Sequence, residues 1–145
     1  MELREKLRGR KVYFDANVFI YLMEGFAAFA ADISDIGESL LHTEAEFFTS
    51  ELTLCEVLVL PFRQNDTSLI ARYRSLIEES GSFGLLPTRR ETYVRASLFR
   101  GQFAMKTSDA IHMASAAEAG CQVFVTADRG IKAPRGIEVV ALEKR

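Results

Sequence analysis

The chain has 145 residues, a length that suits one domain with its own hydrophobic core, so residues 1–145 are treated as a single domain. Its hydrophobic content of 48% argues against a disordered chain, and its net charge of -2 gives no general attraction for nucleic acid without excluding a local basic surface. No stretch is long and apolar enough to span a membrane, and the charged N-terminal segment lacks the apolar core of a signal peptide, so we expect a soluble cytoplasmic protein. Cys55 and Cys121 lie in apolar runs, which predicts free buried thiols in a reducing compartment.

The first strand is predicted at residues 11–14, where an apolar run leads directly into Asp15. Asn17 follows, and helical spacing of apolar residues predicts a helix over 16–24 that Gly25 ends. Open α/β sheets bind ligands beyond the carboxyl ends of their strands, which makes Asp15 a candidate site residue. The alternative is that Asp15 or Asn17 only caps the helix.

A second helix with an aromatic stripe is predicted over 26–41, and the stripe indicates packing in the core. The aromatic side chains of the two early helices nevertheless form a large apolar surface for one small domain: Phe19, Tyr21, Phe26 and Phe29. We therefore expect a second copy of the chain, or a partner chain, to bury some of them.

Residues 46–49 predict a second strand, and Ser50 is placed to cap a helix that runs to Leu60, before Pro61. This helix is apolar on nearly every face, with Glu56 in its middle. A buried carboxylate costs several kcal/mol unless it is paired or bound to a metal, so Glu56 is a candidate site residue. The alternatives are a surface glutamate or one that pairs with an arginine.

Asp66 predicts the start of another amphipathic helix, and residues 83–86 predict a third strand. The stretch 88–91 has capping-box spacing from Thr88 to Glu91 and predicts the start of the next helix.

A helix capped by Thr107 or Ser108 follows, with Asp109 in its first turn and His112 three residues later. We interpret His112 as a hydrogen-bonded packing residue. Strands are then predicted at 122–126 and 137–141, and Asp128 lies just beyond the first of them.

This alternation of strands and helices predicts an α/β fold with three layers, α/β/α, around a parallel sheet. If the relevant strands are neighbours, four carboxylates meet at one sheet edge: Asp15, Glu56, Asp109 and Asp128. Such a group needs cations, and oxygen ligands suit Mg²⁺ or Mn²⁺. No histidine or cysteine has the spacing of a zinc site, and no glycine-rich phosphate loop is present.

Four stretches together resemble the signature segments of the PIN-domain ribonucleases, in the order and spacing of small VapC-type toxins: FDANVFIYLMEG, TSELTLCEVLVL, KTSDAIHMASAAEAG and VFVTADRGI. The resemblance covers nearly the whole chain and implies a PIN-like fold with a central twisted parallel sheet of four to five strands. It also implies that the four carboxylates are the catalytic, metal-binding quartet. Asn17, Ser50 and Thr126 match positions where the family has supporting polar groups.

The activity that the resemblance implies is endonucleolytic cleavage of RNA with Mg²⁺ or Mn²⁺, leaving 5′-phosphate and 3′-hydroxyl ends. It also implies a cognate antitoxin as partner and a homodimer. Six basic residues are candidates for phosphate contacts: Arg89, Arg90, Arg100, Lys106, Arg129 and Lys132.

Other functions remain open at this stage. A phosphatase of the haloacid dehalogenase kind needs a second aspartate two residues after the first, where this chain has Asn17. A receiver domain needs acids on the first and third strands and a late lysine. A PIN nuclease of RNA maturation, or a non-catalytic PIN-fold binding module, is consistent with the same segments.

Overall fold

The structure is a computed structural model that describes residues 2–145. Its helices and strands are, in chain order, α1 (Leu3–Leu7), β1 (Lys11–Phe14), α2 (Ala16–Glu24), α3 (Ala30–Leu41), β2 (Glu46–Ser50), α4 (Glu51–Val57), α5 (Val59–Arg63), α6 (Thr67–Arg74), β3 (Phe83–Leu86), α7 (Arg90–Phe103), α8 (Thr107–Glu118), β4 (Val123–Thr126) and β5 (Glu138–Ala141). A 3₁₀ turn at Ala27–Phe29 precedes α3, and a π turn at Ser75–Glu79 follows α6.

Five parallel strands of the described chain form one sheet in the order β3-β2-β1-β4-β5, which confirms the predicted parallel sheet. Strand β1 lies in the middle, with Tyr13 paired to Phe48 of β2 and to Phe124 of β4. Because parallel strands end at the same edge, the residues that follow β1, β2 and β4 are brought side by side.

Helices cover both faces of the sheet, so the predicted three-layer α/β/α architecture is confirmed. Alternate residues of β1 enter different cores: Phe14 packs with Phe19 and Ile36 on one face, and Tyr13 packs with Phe124 and Met113 on the other. All six of these side chains are fully buried. A strand that is buried on both faces reads as the continuous apolar run seen in the sequence.

The helix after β2 is shorter than predicted. Helix α4 ends at Val57, and Pro61 lies inside the separate helix α5 rather than beyond the end of the first helix. Proline is tolerated there because the first four N–H groups of a helix have no partner within the helix.

Two predicted helix caps also differ. Helix α7 begins after Arg89, not Thr88, and the Thr92 hydroxyl accepts a hydrogen bond of 3.1 Å from the Arg89 N–H. Helix α8 begins at Thr107 itself and has Lys106 in the capping position.

The predicted burial of α4 is partly wrong. The side chain of Glu56 is 34% exposed, and Cys55 is an exposed free thiol. Cys121 is a free, buried thiol as predicted, and burial raises its pKa to about 12.

The early aromatic residues are covered mainly by this chain itself. Phe19 and Phe29 are buried in its core, and Tyr21 is half-buried in contact with Phe26 and Phe29. Phe26, with 43% of its surface exposed, is the exposed member of the group. Phe19 and Phe29 are therefore buried without a second chain, and burial of Phe26 by a partner stays a prediction.

No single helix of residues 2–145 has the length and apolarity to cross a membrane, although the pair Ala16–Glu24 and Ala27–Leu41, bent by 103°, meets these criteria when taken together.

The packing of β3 against β2 gives a test of the fold. A Cβ atom at Gly84 would lie 2.7 Å from Cδ1 of Phe48, so we expect Gly84→Ala to lower the free energy of unfolding by about 1–3 kcal/mol. Nothing lies within 4 Å of a Cβ at Gly101 in α7, and alanine is the better helix former, so Gly101→Ala should raise the free energy of unfolding by about 0.5–1 kcal/mol. Urea unfolding measures both, and wild-type stability of Gly84→Ala would contradict the close packing.

Candidate active site

The side chain of Asp15 lies at the carboxyl end of β1, between the ends of β2 and β4. Only 6% of the residue is exposed, and its N–H donates to the carbonyl oxygen of Val125 at 3.3 Å. Thr126 Oγ1 donates to Asp15 Oδ2 at 2.5 Å. Asp15 is in the N-cap position of α2, but its buried Oδ1 forms no hydrogen bond of ordinary geometry among residues 2–145. The backbone N–H of Val18 is near enough to lower the pKa of the Asp15 carboxyl without completing the hydrogen bonding of Oδ1, and buried carboxylate oxygens normally have a full partner.

Asp109 and Asp128 line one cleft of about 160 Å³, together with Lys106 and Lys132. Asp109 is half-buried in the first turn of α8. Asp128 is exposed beyond β4, where its Oδ1 accepts a hydrogen bond of 2.8 Å from the N–H of Gly130. Its own N–H donates to Thr126 Oγ1 at 3.1 Å. Thr126 therefore contacts both Asp15 and the backbone of Asp128.

Glu56 faces this region from α4 and is held by His112 of α8. The distance between Glu56 Oε1 and His112 Nε2 is 2.5 Å. His112 Nδ1 lies 2.7 Å from the hydroxyl of Tyr13, which also forms a hydrogen bond of 2.9 Å with Ser50 Oγ. No lysine or arginine in the described part of the chain forms an ion pair with Glu56, so the predicted alternative of an arginine partner does not occur.

The four carboxylates influence one another electrostatically. Burial raises the pKa of Asp15 to about 6. The hydrogen bond from Thr126 lowers this pKa in part, and the negative charge of Asp109 raises it further. Burial, followed by the charge of Asp128, raises the pKa of Asp109, and the charge of Glu56 contributes as well. A cation at this edge would relieve the repulsion between these groups.

The acidic side chains do not form a preassembled metal site. Across residues 2–145, no three Asp, Glu, His or Cys side chains converge closely enough to hold a metal ion. Instead, Glu56 is bonded to His112, Asp128 to Gly130, and Asp15 to Thr126. The sharing of one metal by the four carboxylates therefore stays a prediction.

The predicted supporting residues have different surroundings. Thr126 donates to Asp15, as a group that orients the carboxylate should. Ser50 precedes α4 as predicted, but its hydroxyl binds Tyr13 and does not cap the helix. Asn17 is exposed in the first turn of α2.

The predicted phosphate-binding residues fall into two groups. Lys106 and Lys132 share the cleft of Asp109 and Asp128, and Arg129 lines a neighbouring cavity that also includes Asp128. The other three lie on or just before α7 and do not line this cleft, although Arg100 contacts Met105 at its border. Arg89 lies 3.8 Å from Glu118, and Glu118 is nine residues, or about 13 Å, along α8 from Asp109. Arg90 is exposed in the first turn of α7. Arg100 donates to the carbonyl oxygen of Met105.

Sequence reasoning did not predict the hydrogen bonds that link Tyr13, His112 and Glu56. Tyr13 was one residue of an apolar strand, and His112 is buried and hydrogen-bonded as predicted, but its partners were not foreseen. The available signal was the spacing of His112 three residues after Asp109, which places both side chains on one face of α8.

Residues 12–136 match the family model for the PIN domain. The chain belongs to the PIN domain family. No curated protein sequence matches this PIN domain.

Several solved structures share the PIN domain fold of this chain. A toxin–antitoxin complex from Klebsiella pneumoniae has 20% sequence identity and a TM-score of 0.69, over 92% of this chain and 99% of that chain. VapBC2 from Rickettsia felis, bound to a DNA fragment from its promoter, has 12% identity and a TM-score of 0.66, over 90% of this chain and 98% of that chain. VapC20 from Mycobacterium tuberculosis, described as a toxin that cleaves the sarcin–ricin loop, has 14% identity and a TM-score of 0.61, over 78% and 86%.

The raised pKa of Asp15 predicts how stability depends on pH when metal is absent. The folded state binds the proton more tightly than the unfolded state, so wild-type stability in chelator should rise as pH falls from 7 towards 4. The shift of the Asp15 pKa from 3.8 to about 6 corresponds to roughly 3 kcal/mol of stability that is lost when the carboxyl ionises. Asp15→Asn should remove this contribution and melt higher than the wild type at pH 7.

The matched control is Asp66→Asn, at the cap of α6, where asparagine serves as well as aspartate. Its thermal melts should keep the pH dependence of the wild type. If Asp15→Asn also keeps that dependence, Asp15 is not the titrating group.

Proposed function

We propose that this chain is a metal-dependent endoribonuclease and the toxin of a toxin–antitoxin pair. One observation carries the proposal: a buried aspartate, Asp15, keeps an unpartnered oxygen at the sheet edge that also carries Asp109, Asp128 and Glu56. Burying a carboxylate without a full set of hydrogen bonds lowers stability, and the Asp15 side chain forms no cap hydrogen bond of ordinary geometry with α2, which supports a ligand-binding role over a helix cap. The same edge is where parallel α/β folds bind their ligands.

The donor set fits Mg²⁺ or Mn²⁺. Asp15, Glu56, Asp109 and Asp128 offer only carboxylate oxygens, the ligands that hard divalent cations prefer. When bound, such a cation stabilises negative charge on phosphoryl oxygens and activates water. Thr126 fixes one oxygen of Asp15 and leaves the other free, so the carboxylate is oriented before a cation arrives.

Basic groups beside the acids would bind the RNA backbone. Lys106 and Lys132 are exposed in the cleft of Asp109 and Asp128 and can contact a phosphate next to the one that is cleaved. Arg129 and Lys144 line the adjoining cavity of about 370 Å³. For a chain with a net charge of -2, these local cations supply the attraction that the overall charge does not.

A partner chain is part of the proposal. Two of the structures with the same fold are described as a toxin–antitoxin complex and as VapBC2 bound to promoter DNA. This chain also exposes large apolar side chains on α5 and α7: Val59, Leu60, Phe62, Tyr93, Val94 and Leu98. Such surfaces support an antitoxin or a second copy of the chain as partner.

Activity assays with single substitutions test the nuclease. Purified protein should cleave single-stranded or looped RNA with Mg²⁺ or Mn²⁺ and stop in chelator. Asp15→Asn and Asp109→Asn should each lower the cleavage rate at least a hundredfold while circular dichroism shows a folded protein. Asp66→Asn, which keeps a helix cap, should cleave like the wild type.

Undiminished cleavage by Asp15→Asn and Asp109→Asn would contradict the assignment of these carboxylates. A wild type that binds RNA without cleaving it at any metal concentration would favour a non-catalytic PIN-fold binding module. Cleavage of one precursor RNA, with no antitoxin encoded beside the gene, would favour a nuclease of RNA maturation.

Metal binding should also appear as a change in melting temperature. A cation that binds only the folded protein adds about 2.7 kcal/mol at a hundredfold excess over its Kd, which corresponds to a rise of several degrees. The melting temperature of Asp128→Asn should rise less with metal than that of the wild type, because the substitution removes one metal ligand and part of the repulsion that the cation relieves. Differential scanning fluorimetry with Mn²⁺ and with chelator measures this, and an unchanged wild-type melt would contradict the metal site.

A further inference from the structure

Three buried polar groups connect the core to Glu56 through hydrogen bonds. Tyr13 and Ser50 are fully buried, and only 2% of His112 is exposed. The bonds run from Ser50 Oγ to the Tyr13 hydroxyl at 2.9 Å, from this hydroxyl to His112 Nδ1 at 2.7 Å, and from His112 Nε2 to Glu56 Oε1 at 2.5 Å. The last bond joins α8 to α4, so it crosses between two helices that approach the acidic edge separately.

The positions of the hydrogen atoms along this chain follow from the chemistry of its members. An ionised carboxylate only accepts hydrogen bonds, so His112 Nε2 must carry a hydrogen. A neutral imidazole then has an unprotonated Nδ1, which needs a donor, and the group that faces it is the Tyr13 hydroxyl. In the structure the Tyr13 hydroxyl is the donor to Ser50 Oγ, so to serve Nδ1 of a neutral imidazole its single hydrogen must rotate from Ser50 Oγ towards His112. Burial also raises the pKa of Tyr13, so the phenol keeps its hydrogen.

We propose that Tyr13 and His112 are positioning residues: Tyr13 fixes the tautomer of His112 with hydrogen on Nε2, and His112 holds Glu56 by one oxygen while Oε2 stays available at the acidic edge. The inference rests on the proposed function, because it treats Glu56 as a metal ligand. Groups that orient a ligand in this way change metal affinity or activity by about 10–100-fold when they are removed.

The surroundings of Tyr13 keep its hydroxyl in place. Its ring stacks on Phe124 with centroids 5.4 Å apart and meets the His112 ring edge-on at 5.7 Å. Phenylalanine at position 13 would keep both ring contacts and lose only the hydroxyl. Tyr13→Phe therefore removes the donor without opening a cavity.

The experiment compares Tyr13→Phe with Tyr73→Phe. Tyr73 is also fully buried, and its hydroxyl binds a glutamate, Glu24, at the end of α2 away from the acidic edge. In metal-free protein, ¹⁵N NMR of the imidazole should show the Nε2–H tautomer of His112 in the wild type and in Tyr73→Phe, and a mixture of tautomers in Tyr13→Phe. Calorimetric titration with Mn²⁺ should give a Kd about tenfold higher for Tyr13→Phe and unchanged for Tyr73→Phe.

A substitution at His112 separates positioning from packing. The amide NH₂ of glutamine can donate to Glu56 from near the place of Nε2 and needs no help from Tyr13. His112→Gln should therefore keep Mn²⁺ affinity within about threefold of the wild type, and adding Tyr13→Phe to it should cause no further loss. His112→Ala, with no donor, should lose affinity at least as much as Tyr13→Phe.

Different results would overturn the two proposals. If the wild type binds Mn²⁺ and cleaves RNA and Tyr13→Phe equals it in both, the positioning proposal is wrong and the proposed function stands. If the wild type neither binds Mn²⁺ nor cleaves RNA, the proposed function is wrong. An imidazolium or an Nδ1–H tautomer of His112 in the wild type, or an unchanged tautomer in Tyr13→Phe, overturns the positioning proposal without reference to activity.

Discussion

The carboxyl end of β1 is enclosed by a parallel strand on each side, and most of the site depends on this enclosure. Thr49 of β2 donates to the carbonyl oxygen of Phe14 at 2.9 Å, and Thr126 of β4 donates to the carboxylate of Asp15. The polar groups that meet the end of β1 thus come from its two neighbours. If β1 were at the edge of the sheet, the Asp15 carboxyl would be exposed to water, its pKa would stay near the ordinary value, and no neighbouring group would fix its orientation.

Helices α4 and α8 bring the remaining groups to this edge from different directions. Asp109 and His112 lie one turn apart on α8, so a single helix presents both a carboxylate and the imidazole that contacts Glu56. The site therefore depends on how α4 and α8 approach each other, and not only on the sheet. This explains why Glu56 can be one-third exposed and still be held in a defined direction.

The sequence predicted the boundaries of the strands almost residue by residue, because each apolar run is bounded by polar or turn-forming residues. It also proposed four acids as site candidates, two beyond strand ends (Asp15 and Asp128), one inside an apolar helix (Glu56) and one in the first turn of a helix (Asp109), and their shared role stays a prediction. It did not predict the contact between Tyr13 and His112, which are 99 residues apart and look like ordinary core positions. The burial of Glu56 was overestimated because apolar neighbours in sequence, such as Leu60, are themselves exposed at the surface.

The two thiols differ in a way that is useful for measurement. Cys55 is exposed and adjacent to Glu56 in α4, whereas Cys121 is buried and holds its proton tightly. A maleimide or a nitroxide reagent would therefore attach at Cys55 in the natural chain, without removal of the second cysteine. A spin label at that position would report the distance from α4 to a bound paramagnetic Mn²⁺, and so would locate the cation relative to the acidic edge.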